Sequence, residues 1–89
     1  AKEWGLVNEV VADDQLMPRV MEVAHQLAKG ATLAYGEAKR LVADSFSNTI
    51  ETQMEMETRA ISGLVRYTED APNAIRAFAN KQKAEFKGR

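Results

Sequence analysis

Arg76-Ala77-Phe78-Ala79-Asn80-Lys81-Gln82-Lys83-Ala84-Glu85-Phe86-Lys87-Gly88-Arg89 holds five of the chain's twelve cationic side chains and one acid. The stretch is locally about +4, so the residues before it are about −5, given a total of −1. A positive end on an otherwise acidic chain attracts anions. Phe78 and Phe86 interleave with the lysines, and an aromatic face beside ammonium groups suits a ligand with a flat ring and phosphates, such as a nucleotide. Read on composition alone, the same stretch is a helix with one apolar face ending in a solvated basic tail. Ile75, Phe78 and Ala79 supply that face. Asp70 caps the helix, Pro72 is tolerated in its first turn, and Lys81 lies one turn past Phe78 on nearly the same side.

Working outward, the whole chain has 89 residues, the size of one small domain or a piece of a larger one. Apolar residues at 45% and charged residues at 28% describe a chain that folds around buried surface. No apolar run approaches the ~20 residues that span a bilayer, and no secretory leader pattern opens it. There is no cysteine, hence no disulfide framework and no thiol nucleophile. A near-neutral total with one short basic cluster argues against nucleic acid as a partner. The chain opens at Ala1 inside what reads as an element already under way, so a fragment is expected.

The middle of the chain reads as helices. Asp13 or Asp14 caps the first of them, with Pro18 in or just after the first turn and Leu16, Val20, Val23, Ala24 and Leu27 as its apolar stripe. Gly30 ends it. His25 falls outside that stripe, and with no second histidine or paired acid at ligand spacing it is not a metal ligand. Thr32 caps a second helix whose buried stripe is Ala34, Ala38, Leu41 and Val42, fading near Ser45-Phe46-Ser47. Ser47 or Asn48 caps the longest helix, which runs to about Tyr67. It is apolar on two sides: Ile50, Met54, Ile61, Leu64 and Val65 form one stripe, and Met56, Ala60 and Tyr67 a second. A helix of that kind predicts contact with another subunit. Glu51 and Glu55, one turn apart, have the spacing of an acid/base pair, but they sit where negative charge complements the helix dipole, and Glu55 has Arg59 at i+4. They read as a solvated face.

At the front, Ala1-Lys2-Glu3-Trp4 reads as a last helical turn with Gly5 at its C′ position. Leu6-Val7-Asn8-Glu9-Val10-Val11 is rich in β-branched residues and predicts a strand, although the chain offers no second strand to pair with it.

Ala-Lys-Glu-Trp-Gly-Leu-Val-Asn-Glu-Val-Val over residues 1–11 closely resembles a segment of the crotonase (enoyl-CoA hydratase/isomerase) superfamily. The tail, Ala77-Phe78 followed by Lys81, Phe86, Gly88 and Arg89, is similar to that family's C-terminal end. The resemblance covers essentially the whole chain. It implies an all-α fragment, the helical C-terminal trimerisation region of the crotonase fold, with a short orphan strand near 6–11. Residues 1–12 would end the spiral core and residues 13–89 would form the helical oligomerisation domain.

By the same resemblance, the parent is an enzyme acting on acyl-CoA thioesters by hydration or double-bond isomerisation. It holds an enolate in an oxyanion hole and moves protons with glutamates that lie upstream. No catalytic residue is then expected in these 89, and the chain alone would be inactive. Coenzyme A enters as part of the substrate, with Phe78, Lys81 and Lys83 as contacts to its nucleotide end. The partners implied are sibling subunits in a trimer or hexamer, in the cytoplasm or, in a eukaryote, the mitochondrion or peroxisome. The chain departs from the usual family pattern at Ala31, at Asn73-Ala74 and at Lys81-Gln82-Lys83-Ala84, so the acyl group stays unassigned. A reading of a different class is a free-standing helical module that self-associates through its long two-sided helix.

Overall fold

In the computed structural model, which describes residues 1–89, a 3₁₀ turn at Asp13–Gln15 leads into four helices: α1 (Leu16–Ala28), α2 (Thr32–Ser45), α3 (Ile50–Tyr67) and α4 (Asp70–Ala79). The fold is all-α. The strand expected at Leu6–Val11 does not form, because β-branched residues make no ladder without a partner and the chain supplies none. That stretch runs unpaired, with Leu6 73% and Val10 68% exposed.

The turn ahead of it does form. Leu6 N donates to Ala1 O at 3.1 Å and Gly5 N to Lys2 O at 3.0 Å. Gly5 sits at φ +71°, the left-handed stop in which only glycine escapes a Cβ clash.

The helix starts differ from expectation in a consistent way. Asp13 and Asp14 fall inside the 3₁₀ turn instead of capping α1, whose N-cap is Gln15 with no side-chain capping bond. Thr32 is already helical, after Ala31 at the N-cap. For α3 the cap is Thr49, whose hydroxyl accepts from Thr52 N at 3.3 Å, and not Ser47 or Asn48. Asp70 is the first residue of α4 and caps nothing. Each of these sites offers several polar residues within a turn, and the direction from which the chain enters selects among them.

Packing runs from α2 to α3 and from α3 to α4, while α1 rests on its own leading turn. The half-buried face of α2 is Leu33, Ala34, Glu37 and Leu41, so the expected stripe is rotated and Val42 is 62% exposed. Ala60, Gly63 and Leu64 of α3 lie beside Leu33 and Glu37. Gln53 Nε2 donates across to Leu41 O at 3.1 Å, tying α3 to the main chain of α2. Ala60, 8% exposed, is the one buried apolar residue of the chain.

The other side of α3 is open: Ile50, Met54, Ile61 and Val65 range from 45% to 71% exposed. On α1, Leu16, Val20, Val23 and Leu27 are likewise open. Asn8, Glu9 and Val11 line a shallow cleft against that helix, tied by Arg19, which reaches Glu9 at 2.9 Å and Glu22 at 2.6 Å. Glu22 and Glu9 together hold the Arg19 guanidinium above its ordinary pKa.

Candidate functional site

The basic C-terminal stretch divides at Ala79, where α4 stops. Lys81 N donates to Phe78 O at 3.0 Å and Gln82 N to Ala77 O at 2.8 Å. This pair of bonds satisfies the last carbonyls of the helix and reverses the chain. The reversal needs a left-handed residue, and Lys81 takes that place at φ +53°, the single non-glycine residue with positive φ. Lys81 therefore lies beyond the helix end. The expectation that it continues the α4 face of Phe78 is corrected: a side chain in this conformation leaves the helical register.

The apolar face of α4 also differs from the expected one. Ala71, Pro72, Ala74 and Ala77 are half-buried, whereas Ile75 is 58% and Phe78 86% exposed. Small residues let α4 approach its neighbour closely, and the large ring of Phe78 is turned out of that contact. Lys81 and Lys83 are exposed, and neither takes part in any of the chain's ion pairs. An exposed ring and two uncommitted ammonium groups thus stand at and just past the end of one helix.

After Lys83 the chain turns back along α4 instead of fraying. Phe86 enters an apolar cleft with Leu64 and Val65 of α3 and Ala71, Ala74 and Ile75 of α4, joined by Leu33 of α2. Over the next two residues the main chain reaches Asp70. Lys87 N donates to Asp70 Oδ1 at 2.8 Å and Gly88 N to Asp70 Oδ2 at 2.7 Å. These bonds, with that from Lys87 foremost, hold the carboxyl below its ordinary pKa against the opposing effect of burial. Sequence reasoning missed this role. The one signal was Gly88, which needs φ +71°, and nothing in the pattern links it to an acid eighteen positions earlier.

Glu55 is held by Arg59 at 2.5 Å, as the i+4 spacing predicts. No group of three or more histidine, cysteine, aspartate or glutamate side chains is placed to hold a metal ion.

The enoyl-CoA hydratase/isomerase family model matches residues 1–89. The chain belongs to that family. It is 30% identical over its full length to the 1,2-epoxyphenylacetyl-CoA isomerase of Escherichia coli, covering 34% of that protein. With the carnitinyl-CoA dehydratase of Proteus mirabilis it shares 34% identity over 95 aligned positions, covering 35% of that protein.

Among solved structures, an enoyl-CoA hydratase subunit I from Geobacillus kaustophilus superposes on the whole chain with a TM-score of 0.90 at 30% identity, over 34% of its length. An enoyl-CoA hydratase from Bacillus anthracis does so with a TM-score of 0.83, also at 30% identity and over 34% of its length. The chain thus spans about a third of the length of the relatives it matches.

Proposed function

We propose that this chain is the C-terminal portion of an acyl-CoA hydratase or isomerase, and that it holds the nucleotide end of coenzyme A and packs against other subunits. The observation that carries the coenzyme reading is Phe78, 86% exposed, close in sequence to lysines that make no ion pair. A flat ring offers adenine an apolar face, and an ammonium group offers phosphate a point charge. Lys81 and Lys83 would neutralise the phosphates while Phe78 contacts the base.

The chemistry itself falls to residues outside these 89. Enolate stabilisation needs converging N–H donors, and proton transfer needs a carboxylate free to titrate. The one acid pair at helical spacing does not meet that need, because Glu55 is engaged by Arg59. Binding without chemistry is the part left to this segment. Its open apolar faces on α1 and α3 support the packing role.

Lys81→Ala in the full-length protein is expected to raise KM for acyl-CoA about tenfold, the loss of one charge-assisted contact. The matching pantetheine thioester, which lacks the nucleotide, should show an unchanged KM. Equal losses on both substrates would sink the nucleotide assignment.

A further inference from the structure

Asp70 is 5% exposed and is the chain's one buried charged residue. A carboxylate in that setting must be compensated, and both of its oxygens accept main-chain N–H groups from Lys87 and Gly88. The contact is reciprocal. The main-chain oxygen of Arg89 accepts from Glu69 N at 2.8 Å and Asp70 N at 3.1 Å, N–H groups that the start of a helix leaves free. Arg89 Nε meets Glu69 Oε2 at 3.1 Å. The start of α4 and the end of the tail therefore grip each other in both directions.

The opposite end of α4 is fixed by the left-handed turn at Lys81. Residues 81–86 are consequently an arch anchored twice on one helix, with Ala84 and Phe86 half-buried beneath it. Local capping does not account for Asp70, since it accepts no bond from the N–H groups of its own helix.

We infer that Asp70 is a positioning residue for the coenzyme edge: by closing the arch it holds Lys81 and Lys83 ready for the nucleotide phosphates without touching them. The inference rests on the coenzyme reading above. Its physical content is preorganisation. A tail already ordered loses less freedom when the ligand arrives, and cutting one anchor restores that cost at the binding step. Gly88 offers an independent way to loosen the same anchor. It sits at φ +71°, and a Cβ there would lie 3.3 Å from Thr32 Oγ1.

The test uses the full-length protein with Asp70→Asn, which puts an NH₂ donor against a main-chain N–H, and separately Gly88→Ala. Amide exchange of residues 82–88 should quicken in both. KM for acyl-CoA should rise about tenfold with Asp70→Asn and less with Gly88→Ala, while kcat and the KM for the pantetheine thioester stay within about twofold. Added to the Lys81→Ala/Lys83→Ala double variant, Asp70→Asn should raise KM little further, because it acts through those lysines. Faster tail exchange with an unchanged acyl-CoA KM would leave Asp70 a purely structural clasp and overturn the inference, as would equal losses on both substrates. An unchanged KM in the lysine double variant would instead overturn the coenzyme reading, with the exchange data still reporting the clasp. Gly88→Ala decides the matter alone if Asp70→Asn does not fold.

Discussion

At Lys81 the backbone adopts a conformation in which the Cβ crowds the carbonyl that follows it. The φ of +53° costs a lysine roughly 1 kcal/mol more than a glycine, yet the helix stop it creates is the same. On the proposed coenzyme reading, that strain is the cost of keeping a charged side chain at this position. Lys81→Gly should therefore move two observables in opposite directions. Denaturant melts of the full-length protein should show a gain of about 0.5–1 kcal/mol, while affinity for coenzyme A falls. A variant that loses stability would mean that the Lys81 side chain makes contacts beyond those of its backbone. The residue scale is also where sequence reading was most uneven. Gly5 was legible because a glycine after a helical turn announces a left-handed stop. Lys81 makes the same stop without the glycine, so nothing in its pattern marked it. Asp70 had the right chemistry for a cap, and its true partners arrive seventeen and eighteen residues later through tertiary folding.

For whole elements the helical period was informative, but the choice of face was not. All four helices fall where the apolar spacing put them, and α3 is apolar on both sides as expected. The faces of α2 and α4 came out rotated. In α4 small residues such as Ala74 and Ala77 decide which side can approach, and a hydrophobic pattern gives them little weight. In α2 Leu33 and Glu37 take the places expected for Ala38 and Val42. The orphan strand shows the same limit from the other direction. Propensity at Leu6–Val11 describes a surface ready to pair, whereas a strand exists only when the pairing occurs. Ala60 concentrates the α2–α3 contact, facing Leu33 and Glu37 across the interface with Gly63 and Leu64 beside it. Ala60→Leu inserts three heavy atoms at the chain's one buried apolar position, and it should lower the stability of the full-length protein by about 1–3 kcal/mol in urea melts. Glu51→Ala, on the exposed side of the same helix, should stay within about 0.5 kcal/mol. Equal effects from the two would mean that α2 and α3 are not held through Ala60.

The molecule as a whole is open. Its radius of gyration is 16.7 Å, against roughly 12 Å for a compact chain of this length. It exposes 7659 Å², whereas a monomer of its mass would expose roughly 5,200 Å². The excess, roughly 2,500 Å², is comparable to a large obligate interface and falls on residues such as Leu16, Leu27, Ile50, Met54 and Ile61. Two buried side chains in 89 residues cannot offset the entropy of ordering four helices, which runs to roughly 1–2 kcal/mol per residue for the backbone alone. The same geometry recurs within chains about three times as long. Expressed alone, residues 1–89 should therefore not behave as a compact monomer. Sedimentation is expected to show self-association, driven by the uncovered faces of α1 and α3, with near-UV dichroism weaker than the helix content implies. Replacing Met54 and Ile61 together by aspartate should shift the distribution towards smaller species, since both side chains lie on the open side of α3. A compact, cooperatively melting monomer of the unmodified segment would contradict this account, because such a species would have to close the helices onto one another in an arrangement other than the one described.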